Sequence, residues 1–329
     1  MTFGLESSDV ATTAVRVRGS ANIKPFLDTF YTHGHSDIDT ARIYGNGDTE
    51  QALGQCSLGC FSIATKVWPV SAGAHQPENI RRVFRESLMA LGVPKVETFY
   101  LHAPDFTTPW EESCKAVDEL YKEGLFDKFG LSNYSSWQVA QIHGVCKQHG
   151  YVLPVVYQGM YNPITRDVSR ELLPCLKALG MAFEAYNPIA GGLLTGKYQF
   201  DKTEINDGSR FDTQMGFGKI YRERFWNHLY FEAIQDLSRV CAEHSITLLE
   251  ATLRWMMHHA GLHARDGVVI GVSSVQHLEE NLQAMAQGPL PTAVVVAFDE
   301  AWEEVKVACP SYFKTEKVIE TYLPQSKAR

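Results

Sequence analysis

The 329-residue chain reads as an α/β protein, a TIM-type (β/α)8 barrel rather than an open sheet, on three observations. Short apolar runs rich in Val, Ile, Phe and Tyr alternate with amphipathic stretches along the whole length, the pattern of a parallel sheet with crossover helices. The runs number seven, at 36–39, 61–67, 96–102, 128–133, 155–161, 182–187 and 267–272, or eight if 1–5 is a first strand. Polar, chemically capable residues close many of them: Asp39, Lys66, His102, Asn133 and Asn187. A barrel gathers such strand ends into one mouth, whereas an open sheet concentrates function at one switch point.

In chain order, 1–5 makes a short first strand and 36–39 a second, closed by Asp39. Amphipathic stretches at 78–91, 110–123, 137–149 and 169–179 place apolar residues at three- and four-residue steps. They end on Gly92, Gly124, Gly150 and Gly180, the residue suited to a helix C-terminal cap. After 182–187 the rhythm breaks. Residues 193–225, rich in Gly, Lys, Asp and Arg, show no helix until about Trp226 and are too long for an ordinary connection, so a functional loop is expected. Helical patterns return at 247–257 and 275–285, and again from 298 to about Val307. No Pro-, Gly- or Ser-rich linker divides the chain. Although a prior of roughly 150 residues per domain suggests two units, residues 1–329 are expected to form one barrel domain.

Lys and Arg number 30 against 38 Asp and Glu, a net charge of −8 with no basic block, so neither nucleic acid nor an anionic membrane is an expected partner. No stretch approaches about 18 consecutive apolar residues, and the first residues lack an apolar segment after a basic one. The seven cysteines are scattered without a C-x-x-C pair, which fits a reducing, cytoplasmic setting. His258, His259 and His263 lack the carboxylate pattern of a metal site, and 45–50 lacks the third small residue of a dinucleotide fingerprint.

Asp39, Tyr44, Lys66 and His102 make chemical sense as a set. A phenol with its usual pKa of about 10 is a poor acid near neutrality. A neighbouring ammonium favours the phenolate, and a carboxylate holds that ammonium in place. A histidine opposite can donate a hydrogen bond to a carbonyl oxygen. This is acid catalysis suited to carbonyl reduction.

The ordered motifs D-T-A-x-x-Y-G at 39–45, followed by Glu50, A-T-K at 64–66 and L-H-x-x-D at 101–105 resemble the aldo-keto reductase superfamily. GLSN at 130–133, YQGMYN at 157–162, YNPIAGGLLTGKY at 186–198, GSRF at 208–211 and GVSSVQHLEEN at 271–281 extend the resemblance over nearly the whole chain. With YRERFW at 221–226 and CPSYF at 309–313, they most resemble the aflatoxin aldehyde reductase branch.

The resemblance implies NADPH-dependent reduction of an aldehyde or ketone, with Tyr44 as general acid, Lys66 and Asp39 assisting, and His102 orienting the carbonyl. It further implies that Ser132, Asn133 and Gln158 meet the nicotinamide carboxamide and Tyr186 its ring. Around the pyrophosphate it places Asn187, Pro188, Ile189, Ala190, Gly191, Gly192, Leu193, Leu194, Thr195, Gly196 and Lys197. Arg210, Gly271, Ser273 and His277 would reach the adenosine 2′-phosphate region, with Glu280 and Asn281 at the adenine. Glycines that let backbone amides approach phosphate, and a helix entered through Gly-Val-Ser-Ser, suit an anion. Tyr221, Arg224, Trp226 and Lys314, with His102, fall at the branch's substrate positions, and paired cations among aromatics favour carbonyl compounds bearing a carboxylate. A homodimer is also expected by resemblance. Relatives usually carry several more residues before the first barrel strand, so that strand is expected to be short. Two other readings share the fold: a cofactor-binding regulatory protein of the potassium-channel β-subunit type, and a pathway-specific natural-product ketoreductase.

Overall fold

The structure is a computed structural model and describes residues 3–9, 15–202, 204–205, 208–215 and 218–322, with side chains to Ile319. Seven strands form one parallel sheet in sequential order: β3 (Asp37–Asp39), β4 (Ser62–Val67), β5 (Val96–Leu101), β6 (Phe126–Ser132), β7 (Pro154–Met160), β8 (Ala182–Tyr186) and β9 (Gly267–Val268). Each is paired in parallel with the next, and helices surround the sheet, the architecture of the (β/α)8 barrel class.

The strand expected at 1–5 does not join this sheet among the described residues. Instead β1 (Phe3–Gly4) pairs with β2 (Val17–Arg18) as a separate two-stranded unit. The two extended residues of β1 are followed by Leu5 and then the polar Glu6-Ser7-Ser8-Asp9. Thr49 Oγ1, donating to Phe3 O at 2.7 Å, and the Phe3–Phe26 ring contact at 5.4 Å hold β1 against its neighbours. Met1 and Thr2 lie outside the described residues.

The helices follow the apolar periodicity. In chain order they are α1 (Ser20–Thr32), α2 (Asp48–Gly54), α3 (Pro77–Leu91), α4 (Trp110–Lys122), α5 (Ser136–His149) and α6 (Leu172–Leu179). Gly92, Gly150 and Gly180 cap α3, α5 and α6 in the left-handed conformation. Phe84 of α3 packs on Phe99 of β5 at 4.3 Å between ring centroids, and Phe126 of β6 packs on Phe99 at 5.5 Å. Such contacts bury one face of each helix on the sheet.

Two expectations are corrected after β8. The long loop contains a helix of its own, α7 (Gly218–Phe225), and Trp226 falls between it and α8 (His228–Glu243) rather than starting a helix. Gly218 would not tolerate a side chain, since a Cβ there would lie 1.9 Å from Asp212 O. Residues 203, 206–207 and 216–217 of that loop are outside the described set. The last strand is two residues, not six. Beyond Val268 the chain keeps one ladder bond, Val269 N to Ala185 O at 2.8 Å, and then turns toward α10 (Val275–Met285). Between and after these come α9 (Leu248–His258), α11 (Thr292–Val305) and a tail helix that the sequence pattern did not suggest, α12 (Glu316–Tyr322).

Candidate active site

The C-terminal ends of β3 to β8 converge on Lys66. This lysine is fully buried, and its ammonium is bonded to Asp39 Oδ1 and, at 2.9 Å, to Thr40 O. Its Nζ also stands 5.4 Å from the ring centroids of both Tyr44 and Tyr100. Tyr44 opens a tight turn, Tyr44–Gly47, whose Gly45 and Asn46 are left-handed at φ 59° and 56°. Arg42 clamps that turn, donating to Gly47 O at 3.2 Å and pairing with the sealed Glu50 at 2.9 Å. His102 stacks edge-on between Tyr44 and Trp68, at 5.7 and 5.0 Å between centroids. Asp39, Tyr44, Lys66 and His102 thus stand together.

The electrostatics depart from expectation in one respect. The pKa of Tyr44 is raised well above the ordinary phenol range, first by burial and then by Asp39, Tyr221 and Tyr186, with Arg210 alone acting to lower it. The carboxylate that anchors Lys66 also repels a phenolate at Tyr44. His102 is pushed well below the usual imidazole range by burial, with Lys66 and the buried His75 adding to it, and is therefore neutral at pH 7. Its Nδ1 is sealed and without a hydrogen-bond partner.

The second group of candidates gathers beside this set. Asn133, left-handed at φ 64°, donates to His102 O and Ser132 Oγ, each at 2.9 Å, and accepts from Tyr186 OH at 2.8 Å. Gln158 Nε2 donates to Asp39 Oδ1 at 2.8 Å. Asn187 and Ala190 are also left-handed, at φ 57° and 49°, and such non-glycine residues cluster where function requires a strained backbone. Gly191 accommodates the Tyr221 ring, which would come within 2.5 Å of a Cβ there. Tyr221 OH donates to Asn187 Oδ1 at 2.9 Å, and the Arg210 and Arg224 guanidiniums lie 5.6 and 5.7 Å from its ring centroid. Within 187–197 the amides of Ala190, Gly192, Leu194 and Gly196 are bonded inside the loop, which leaves fewer for phosphate than the glycine content suggests. Lys197 is exposed beside Tyr198.

Lys314 joins the mouth from the tail. Its backbone N–H donates to Asn133 O at 2.9 Å, and burial, then the charge of Arg224, lower its ammonium to about 7. Trp226 is not brought to this group. Its indole packs on Tyr198, Phe211 and Phe231, and its N–H is engaged by Phe200 O at 3.3 Å. At the start of α10, Ser274 Oγ caps His277 N at 3.1 Å, and Ser273 Oγ lies 3.4 Å from His277 Nδ1. Gly271 and Glu280 are exposed, whereas Asn281 is buried.

Sequence reasoning missed Glu184, His75 and Tyr100. Glu184 accepts from Tyr100 OH at 2.8 Å and from Gln158 Nε2 at 2.9 Å. Burial above all raises its carboxyl, and Asp39 adds to it. One charge inside the apolar strand Ala-Phe-Glu-Ala-Tyr, at an inward position, was the available signal. His75, fully buried, is lowered to about 4 by desolvation.

Among the described residues no helix is long and apolar enough to cross a membrane, and no cluster of His, Cys, Asp and Glu could hold a metal ion. The model of the Aldo/keto reductase family matches residues 3–303. Mouse aflatoxin B1 aldehyde reductase member 2 is 46% identical over 308 residues, covering 90% of this chain and 83% of its own. Human aldo-keto reductase family 7 member A3 is 44% identical over 298 residues, covering 87% and 90%. Aldo-keto reductase pigE of Monascus ruber is 36% identical over 307 residues, covering 89% and 90%. A parallel α/β barrel sheet, a lysine–aspartate pair beside a tyrosine and a neutral histidine, and likeness across nine-tenths of the chain agree: this protein belongs to the aldo/keto reductase family, oxidoreductases that reduce carbonyl groups.

Proposed function

We propose that the chain reduces an aldehyde or ketone to an alcohol with NADPH, and that Tyr44 delivers the proton. The observation that carries this reading is the Lys66–Asp39 pair buried beneath Tyr44 with neutral His102 alongside. The residues of the mouth suit the cofactor: Gln158 Oε1 accepts no hydrogen bond among the described residues, Gly191 and Gly192 are left-handed at φ 70° and 104°, and Ser273 and His277 border the start of α10. When bound, the nicotinamide supplies a hydride to the carbonyl carbon.

The chain's own residues do the rest. Neutral His102, with Nδ1 sealed, has Nε2 left to donate to the carbonyl oxygen and fix its direction. Tyr44 holds its proton across neutral pH and releases it as negative charge develops on that oxygen. Lys66 gives the resulting phenolate a fixed cation at its ring face, and Asp39 holds that cation in place. Arg224, at the Tyr221 ring, and Lys314, which feels the Arg224 charge, favour carbonyl substrates that carry a carboxylate.

The test follows NADPH absorbance across a panel of aromatic and carboxylated aldehydes for wild type and Tyr44→Phe. Phe keeps the ring but has no proton to give, so turnover should fall by about 10²–10⁴-fold with folding intact. Equal rates in the two proteins would overturn the assignment.

A further inference from the structure

Ser132, Gln158, Glu184 and Gly267 stand level with one another across β6, β7, β8 and β9. Gln158 Nε2 donates to Asp39 Oδ1 at 2.8 Å and to Glu184 Oε2 at 2.9 Å, and Tyr100 OH donates to the same Glu184 oxygen at 2.8 Å. An ionised carboxylate oxygen only accepts, so the amide atom facing both must be the nitrogen. An amide oxygen there would oppose two acceptors and forfeit two bonds. Asp39 alone enforces this weakly, because turning the amide over would then cost a single bond.

The surroundings are built for this arrangement. Tyr100 reaches across because its partner on β6 is Gly130, where a Cβ would lie 2.3 Å from the Tyr100 ring. Opposite Glu184, Gly267 brings no side chain, and a Cβ there would lie 3.6 Å from Glu184 Cγ. With two donors on Oε2, any proton taken up by Glu184 goes to its other oxygen, and Oε2 stays an acceptor. Both N–H groups of Gln158 are thus engaged inward. Its Oε1, which accepts nothing among the described residues and is not sealed, is the atom left for a ligand.

We infer that Glu184 is a positioning residue for the cofactor: it locks the Gln158 amide with nitrogen inward, so the site offers the nicotinamide an acceptor and selects a ring substituent bearing an N–H. The inference rests on the NADPH reading above and deepens it. Its test compares dissociation constants, by tryptophan fluorescence quenching of the full chain, for NADPH and for its reduced 3-acetylpyridine analogue, in which a methyl group replaces the amide nitrogen. Wild type should prefer NADPH by about tenfold or more, the cost of leaving one buried acceptor unpaired. Glu184→Met, similar in length but without an acceptor, should narrow that preference to under about threefold. Glu184→Ala carries the same expectation, so the comparison does not hang on one variant's folding. Glu184→Gln keeps an oxygen for Tyr100 and Gln158 and should restore the preference. Equal binding of the two cofactors by wild type, or an unchanged ratio in Glu184→Met and Glu184→Ala, overturns the inference. Failure of folded wild type to bind either cofactor overturns the NADPH reading itself.

Discussion

Replacing Lys66 by Met tests whether the pair beneath Tyr44 is a structural as well as a chemical unit. The thioether retains most of the lysine stem, so packing changes little and the loss is that of the ammonium. Two bonds go, one to the Asp39 carboxylate and one to Thr40 O at 2.9 Å. Both bonds are donated by the charged ammonium, and hydrogen bonds to charged groups contribute about 1.5–3 kcal/mol each, which together give about 3–6 kcal/mol. That agrees with the 3–5 kcal/mol typical of breaking a buried pair from one side, since Lys66 is fully buried and the Asp39 side chain only 18% exposed. Most of the cost is the charge stranded on Asp39, so Lys66→Met/Asp39→Asn should be about 2 kcal/mol more stable than Lys66→Met alone. Urea unfolding of the wild type, both single variants and the double variant measures this directly. If the double variant is no more stable than Lys66→Met, the buried-pair account is wrong, whatever happens to activity.

Two predictions concern pH. His75 is lowered to about 4 in the folded chain, chiefly by burial. Between about 4 and 6.5 the unfolded state therefore binds the extra proton, and stability rises with pH across that window and falls on acidification. The contribution lost between pH 7 and pH 5 is about 2 kcal/mol, and His75→Leu should remove it from the pH dependence of urea midpoints. A variant as acid-sensitive as wild type would show that His75 titrates elsewhere. Lys314, lowered to about 7 by burial and then by Arg224, is charged below that pH and neutral above it. The KM for a carboxylated aldehyde should rise about tenfold from pH 6 to pH 8 while that of an uncharged aldehyde stays level, and Lys314→Met should abolish the difference. Parallel KM profiles for the two aldehydes would sink the anion-site reading.

The barrel was legible because periodicity reports burial, and burial is what a crossover sheet imposes. Each middle strand is covered on both faces, so runs such as Val96–Leu101 stand out against amphipathic helices such as Pro77–Leu91. Legibility failed where local pattern and tertiary pairing part. Residues 267–272 look like a strand, yet only Gly267 and Val268 find ladder positions beside Glu184 and Ala185. The helix Gly218–Phe225 was hidden by its charge: Lys219, Arg222, Glu223 and Arg224 dilute the apolar stripe to Tyr221 and Phe225, which are its buried side chains.

The site shows the same division between residue type and environment. Order along the chain was enough to nominate Asp39, Tyr44, Lys66 and His102, because a barrel forces strand ends together whatever their sequence separation. The sign of the Tyr44 shift was not available from order, since it depends on what else faces the hydroxyl. A lysine alone would depress the phenol; burial first, and then Asp39 with the hydroxyls of Tyr221 and Tyr186, leave it raised. That balance suits an acid better than a depressed phenol would. A phenol whose pKa fell toward the pH of the medium would lose its proton before a carbonyl arrives, whereas the raised one keeps it until charge on the substrate oxygen makes transfer favourable. In the proposed mechanism Lys66 acts on the phenolate that forms rather than on the phenol that waits, which places its effect in the transition state. Removing Lys66 should therefore lower kcat far more than it raises KM, and a change confined to KM would contradict this division of labour.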